Sequence, residues 1–332
     1  MNRFGAARLL HLPAVLVCTG LTSMAGTSAN AASTSVVLRV GHFSNITHMQ
    51  GLVGHNFTRQ GKGWFEQRLG ADVKIEWYVY NAGPGAMEAL FANSIDLTYV
   101  GPNPAINAYV KSGGQEVRIV AGAANGGSAL VVQPDLPVKT AADFKGHTIA
   151  TPQFGNTQDV AARAWLIAGG LRITQTGGDA QVVPTANPDQ LTLFKSRQID
   201  AVWTVEPWVS RLINEAGGKV LVEDSNSVTT VLVSSTAELK SNRNLVAKFV
   251  AANKELTDWI NSHPEEAQQL ARDEIEAETR TAMPVELVKE ASKRIVLTSQ
   301  VSREALDGFL KSAQSVGFLR GTADLSALVE EP

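Results

Sequence analysis

The sequence predicts an α/β fold of two lobes with mainly parallel sheets, followed by a C-terminal helical tail. Three observations carry this. Short apolar runs alternate with amphipathic helical patterns over residues 36–216, the pattern turns wholly helical over 242–313, and one helix–strand–turn unit recurs 104 positions along the chain.

The 332 residues include 44% hydrophobic and 18% charged side chains and a single cysteine, which excludes a disordered chain and a disulfide scaffold. At roughly 100–200 residues per domain, this length makes one large or two ordinary domains. Residues 1–31 read as a signal peptide. Arg3 and Arg8 form a basic start, residues 9–21 an apolar run broken by Pro13, and Ala29-Asn30-Ala31 a small-x-small cleavage signal. A lipid-modified Cys18 would call for Gly, Ala or Ser before it; Val17 stands there, so cleavage near Ala31 is expected.

Removing the leader takes Arg3 and Arg8 from 29 Lys+Arg, leaving 27 against 32 Asp+Glu, a net charge of −5. It also removes Cys18, so the exported chain of about 301 residues has no thiol nucleophile, disulfide or thiolate metal site. A mildly acidic chain with scattered basic residues lacks the basic stripe that a nucleic-acid partner requires.

Residues 36–40, 73–79, 97–100, 117–121, 130–133, 148–151, 181–183 and 201–204 read as strands, several apolar on both faces as buried parallel strands are. Helical patterns lie between them at 48–69, 85–92, 104–112, 157–169, 187–197 and 206–216. A strand at 231–234 precedes the tail, where Asn242 is a cap, Pro264 and Pro284 stand in first turns, and no strand signal occurs.

The recurring unit places Met87, Leu90, Ile95, Asp96 and Tyr99 on Leu191, Phe194, Ile199, Asp200 and Trp203. Each copy is an amphipathic helix, an Ile-Asp entry to an apolar strand, an aromatic near the strand end, and a proline-bearing turn into the next helix. Two similar lobes account for it.

Ligands of open α/β sheets collect beyond the carboxyl ends of the strands, where helix N-termini converge. Four turns at such places are rich in polar caps, glycine or proline: residues 41–47, 101–104, 154–157 and 203–207. Each alone reads as an ordinary helix cap. Converging on one cleft, their free N–H groups and helix dipoles suit a small oxyanion.

The series Asn81-Ala82-Gly83-Pro84, Ala89-Leu90, Ile95-Asp96, Gly101-Pro102-Asn103-Pro104, Ala142-Asp143-Phe144-Lys145-Gly146, Gly155-Asn156-Thr157 and Glu206-Pro207-Trp208 resembles the periplasmic solute-binding proteins of nitrate, sulfonate and taurine ABC importers. The resemblance covers nearly the whole exported chain. It implies a type II, Venus-flytrap periplasmic-binding-protein fold with lobe I over 36–126, lobe II over 127–225, and a return to lobe I with C-terminal helices over 226–330. The two crossings would act as the hinge. It further implies a periplasmic monomer that uses no cofactor, captures a sulfonate, taurine, nitrate or related solute, and delivers it to an ABC permease and, through it, the ATPase.

Carried over position by position, the resemblance places ligand contacts at His42, Phe43 and Ser44, at Gly101, Asn103 and Pro104, and at Gly126, Gly127 and Ser128 near the crossing. The second lobe would add Asn156, Thr157 and the turn from Trp203 to Glu206. Hydroxyls, amides and helix N–H groups would take the anionic head, and Phe43, Tyr99 and Trp203 would wall an organic tail. No Arg or Lys falls inside these motifs. Glu206 reads either as a first-turn residue facing away or as the partner of an ammonium group on an aminosulfonate. His42 and His48 lack HExxH spacing and read as caps or ligand contacts, so no metal site is expected.

An enzyme on the same fold, similar to a desulfinase or a thiamine-precursor synthase, is the competing class. Such enzymes use cysteine chemistry, which the exported chain does not supply. The GxSxG elbow and the GxxxxGK[ST] phosphate loop are absent from the sequence. A ligand sensor on this fold would carry the same sequence signature.

Overall fold

In the computed structural model, which describes residues 35–332, the chain opens with β1 (Val36–His42) and a 3-10 turn (Ile46–His48). There follow α1 (Met49–Arg59), α2 (Trp64–Leu69), β2 (Val73–Val79), α3 (Gly83–Phe91), β3 (Leu97–Val100), α4 (Pro102–Lys111) and β4 (Val117–Gly126). It crosses into β5 (Ser128–Val132), β6 (Thr148–Thr151), α5 (Thr157–Ala168), β7 (Gln181–Pro184), α6 (Asn187–Lys195), β8 (Ala201–Val205), α7 (Trp208–Ala216) and β9 (Lys219–Glu223). It returns through β10 (Val228–Ser235), α8 (Thr236–Ser241), α9 (Arg243–Ser262), α10 (Pro264–Thr279), α11 (Val285–Ser292), β11 (Ile295–Leu297) and α12 (Arg303–Ser315). The expected leader and cleavage site lie outside the described residues. No helix among the described residues is long and apolar enough to cross a membrane.

Two sheets result, in the orders β11-β4-β10-β3-β1-β2 and β7-β6-β8-β5-β9. The chain changes sheet between Gly126 and Ser128 and again between Glu223 and Val228. These crossings lie side by side, with Gly126 N–H donating to the Ser227 carbonyl at 2.8 Å. Gly126 and Gly127 have φ of 71° and 68°, a left-handed pair that glycine adopts without the steric cost of a Cβ.

The expectation of mainly parallel sheets holds for their cores and is refined where strands cross from the other lobe. β2-β1-β3 and β7-β6-β8 are parallel cores, but β10 runs antiparallel to β3 and β4, and β5 antiparallel to β8 and β9. Both reversed strands arrive from the other lobe. They enter their sheets at the end where the parallel strands finish, so they run the opposite way. Two expectations fail locally. The helical pattern over 48–69 breaks at Gly61-Lys62-Gly63 into α1 and α2, and the helical tail contains β11, which pairs antiparallel with the end of β4.

Each sheet is covered on both faces. In the first lobe Leu38, Val40, Leu97 and Tyr99 pack under α1, α9 and α10, while Val100, Ile119 and Val231 pack under α3, α4 and α12. In the second, Leu130, Ile149 and Trp203 meet α5, and Val131, Ala150 and Val202 meet α6 and α7. The period of two along each strand divides these sets between the faces.

The recurring Ile-Asp has a backbone reason. Asp96, entering β3, accepts the Arg39 N–H of β1 at 2.8 Å; Asp200, entering β8, accepts the Thr148 N–H of β6 at 2.8 Å. In each lobe a carboxylate satisfies a donor of the neighbouring parallel strand at the edge of its ladder.

Candidate functional site

Beyond the carboxyl ends of β1, β3, β6 and β8 the lobes face one another across a cavity of about 30 Å3. Its wall is made of helix beginnings. Ala82 and Gly83 start α3, Gly101 and Pro104 start α4, Asn156 and Thr157 start α5, Asn187 starts α6, and Asn45, Thr47 and His48 come from the 3-10 turn after β1. Three of these helices carry proline in the first turn, where a missing N–H costs nothing and the fixed φ sets a sharp start. α5 uses a side-chain cap instead: Asn156 Oδ1 accepts the Asp159 N–H at 2.8 Å.

Each helix start carries partial positive charge, and four of them point at this space. No Lys, Arg, Asp or Glu is among the described residues lining it. Asp159, next to the lining residue Gln158, is fully buried and paired. It takes Arg163 Nε at 3.1 and 3.2 Å, the Thr151 hydroxyl at 3.1 Å and the Gly155 N–H at 2.9 Å. Arg163 is itself buried, and its remaining arms donate to the Thr174 and Val182 carbonyls at 2.7 and 3.0 Å. The guanidinium is thus engaged through all three nitrogens within lobe II, and Arg163 is not among the residues lining the cavity.

His48, stacked on Phe43 with ring centroids 4.2 Å apart, is pushed well below the ordinary histidine range by burial and then by His42. It is a neutral imidazole at physiological pH, and its Nδ1 has no hydrogen-bond partner. Such a buried polar atom on a cavity wall is available to a ligand.

Of the residues singled out from sequence, Phe43, His48, Gly101, Pro104, Asn156 and Thr157 line this one cavity. Asn103 stands beside it, with its N–H 3.4 Å from Thr157 Oγ1 and its amide donating to the Phe309 carbonyl. Ser128 is one layer back, accepting from Gln158 Nε2 at 3.3 Å, and Gly127 accepts the Glu206 N–H at 2.8 Å.

The others point elsewhere. His42 and Ser44 alternate with Phe43 and turn toward Glu278. Tyr99 and Trp203 lie in the two lobe cores, Tyr99 bonded to Asn253 and Trp203 packed edge-on against Trp165, so neither walls the cavity. Both project sideways from their sheets, whereas the cavity lies off the strand ends. The Glu206 carboxylate accepts from Ser210 N–H and Oγ at 3.1 and 2.9 Å and sits 3.2 Å from Arg294 Nε. It caps α7 and faces away.

Asn45 and Thr47 fall in the 41–47 turn and Asn81 in the 81–84 motif without having been given a lining role, and Gln158, Asn187 and Thr229 were not singled out from sequence. Asn187 had a usable signal, an Asn-Pro helix start like the other turns. Bonds that join the lobes include Trp208 Nε1 donating to Asn45 Oδ1 at 3.2 Å, Ile46 N–H donating to the Glu206 carbonyl at 3.1 Å, and Arg294 Nη1 donating to Glu223 at 2.6 Å.

Two α/β/α lobes, joined by paired crossings around a polar cleft, define a type II periplasmic-binding-protein fold. The chain belongs to the NMT1-like family, whose pattern matches residues 31–276. The "Putative aliphatic sulfonates-binding protein" of Escherichia coli (strain K12) is 28% identical over 212 residues, 64% of this chain and 62% of that relative. The match thus spans less than two thirds of the relative's length. The periplasmic aliphatic sulphonate binding protein SsuA from Escherichia coli superposes with a TM-score of 0.67 at 22% identity, covering 84% of this chain and 91% of that one. The periplasmic nitrate-binding protein NrtA from Synechocystis PCC 6803 superposes with a TM-score of 0.70 at 15% identity, covering 87% and 83%. At these identities the two solved structures share the fold.

Proposed function

We propose that the protein is the extracytoplasmic solute-binding component of an ABC importer and that its cleft captures the oxyanion head of an alkyl or aryl sulfonate. One observation carries the reading: four helix N-termini from both lobes converge on a cavity with no charged lining side chain. The leader pattern of residues 1–31 supports export, and the sulfonate-binding relative supports the ligand class.

An apolar groove adjoining the cavity favours an organic oxyanion over nitrate. It shares Pro104 with the cavity, is lined by Met87, Phe91, Phe154 and Phe318 with Glu88 and Lys111 also on its wall, and has a volume of about 360 Å3. That is the size and character of a small-molecule subsite. These apolar residues replace Tyr99 and Trp203 as the proposed tail contacts. Because Glu206 faces away, the cavity presents no carboxylate to an ammonium group, which favours simple sulfonates over taurine. The exported chain lacks the cysteine that enzymes of this fold would use, which supports binding over catalysis.

A thermal-shift screen of the mature protein tests the proposal, because a ligand that binds only the folded state raises the midpoint. Hexanesulfonate and benzenesulfonate are expected to stabilise most, methanesulfonate and nitrate less, and sugars or cationic amines not at all. Stabilisation by sugars or amines, with none by sulfonates, would overturn it.

A further inference from the structure

On the far side of the β1 loop from the cleft, His42, His55 and Glu278 bring three donor atoms together from β1, α1 and α10. His42 Nε2, His55 Nδ1 and Glu278 Oε1 stand at the corners of a triangle whose three edges are each 3.0 Å. We propose that this is a structural binding site for a first-row divalent transition-metal ion, zinc being the first candidate.

The donors are of the right type, two imidazoles and one carboxylate. Their spacing is also right. An ion about 2.05 Å from each atom would sit about 1.1 Å out of the plane of the triangle, with donor–metal–donor angles near 94°. That is a facial arrangement, and opening each edge by about 0.3 Å makes it tetrahedral. The side chains are already held in place: those of His42, His55 and Glu278 are 0%, 16% and 3% exposed, so solvent reaches the site past His55.

With both imidazoles neutral, a single N–H donor faces three acceptor atoms in this cluster. His42 Nδ1 lies 3.3 Å from the Phe43 carbonyl, which only accepts, so in the neutral ring the proton is on Nδ1 and Nε2 presents a lone pair. A single His55 Nδ1–H would then serve His42 Nε2, Glu278 Oε1 and Glu274 Oε1, the last at 2.9 Å. A cation satisfies the inward lone pairs together. The surrounding bonds are those that orient metal ligands: the Phe43 carbonyl fixes the His42 tautomer, and the Ser44 hydroxyl donates to the other oxygen of Glu278. Arg59, engaged by Glu274, has Nη2 3.4 Å from His55 Nε2. A metal-bound His55 carries its proton on Nε2, so this contact must lengthen on binding.

An ion here would pin the loop between His42 and Ser44, whose middle residue, Phe43, lines the cleft. The test is calorimetric titration of Zn2+ into chelator-treated, dialysed mature protein, repeated on His55→Ala and Glu278→Gln, with circular dichroism to verify folding. The expected result is one equivalent bound by the parent and at least a 100-fold loss of affinity in each variant. His55→Ala, at the more exposed corner, decides alone should Glu278→Gln not fold. Absence of stoichiometric binding of Zn2+, Co2+ or Ni2+ by the parent, or binding unchanged in His55→Ala, would overturn the proposal and leave a hydrogen-bonded cluster only. Sulfonate binding plays no part in this readout.

Discussion

Gly101 of the first lobe faces Thr157 of the second so closely that a methyl group on Gly101 would overlap the Thr157 hydroxyl. The two residues begin α4 and α5, and both line the cavity. The absence of a side chain at position 101 is what lets two helix N-termini from opposite lobes approach one ligand.

Gly101→Ala should therefore hinder closure while leaving each lobe intact. Affinity for methanesulfonate is expected to fall about tenfold, about 1.4 kcal/mol, with little change in the ligand-free melting temperature. Calorimetry on the parent and variant checks this; equal affinities would mean that closure does not bring these residues together.

Arg163→Met should destabilise the protein by about 3–5 kcal/mol, because it leaves the buried Asp159 carboxylate without its counter-charge. Denaturant unfolding measures the loss. The double variant Arg163→Met/Asp159→Leu should recover part of it, and no recovery would show that Arg163 acts through packing rather than charge.

Glu206 is pushed up to about 7 by burial, against the opposing pull of the Ser210 bonds and Arg294. The folded state then holds a proton that the unfolded chain releases near its ordinary value of 4.5. The contribution of Glu206 to stability is thus fully present below about pH 4.5 and declines as pH rises through 7, by about 3 kcal/mol in all. Glu206→Gln removes this titration. The parent should lose stability relative to the variant between pH 4.5 and 7.5, and parallel stability profiles would contradict the assignment.

Phe91 and Phe154 are 42% and 39% exposed, and both line the apolar groove beside the cavity. Truncating either to alanine should weaken hexanesulfonate about tenfold, the scale of one or two buried methylenes. Methanesulfonate, which has no tail to place, should bind as before. Equal losses for both ligands would remove the groove from the site.

The fold was largely legible because its signals are local. Apolar runs of four to eight residues mark most strands, and the Ile-Asp pairs at 95–96 and 199–200 mark the equivalent strand in each lobe. β11 was not legible: three residues between helices show no periodicity, and only their pairing with β4 makes them a strand. At the site, Gly101, Pro104, Asn156 and Thr157 were readable because helix starts announce themselves through caps and prolines. Tyr99 and Trp203 misled because an aromatic near a strand end looks as if it points off that end, while the pleat sends it into a sheet face. The cluster of His42, His55 and Glu278 was invisible, since its carboxylate comes from a helix 223 residues beyond His55.

Helix N-termini alone, with no cationic side chain lining the cavity, should select a negative charge. This selection is tested most directly by calorimetric titration of the mature protein with methanesulfonate and with dimethyl sulfone, a neutral molecule of nearly the same shape. Methanesulfonate should bind one-to-one and at least tenfold tighter than the sulfone. Equal binding, or preference for the sulfone, would contradict it.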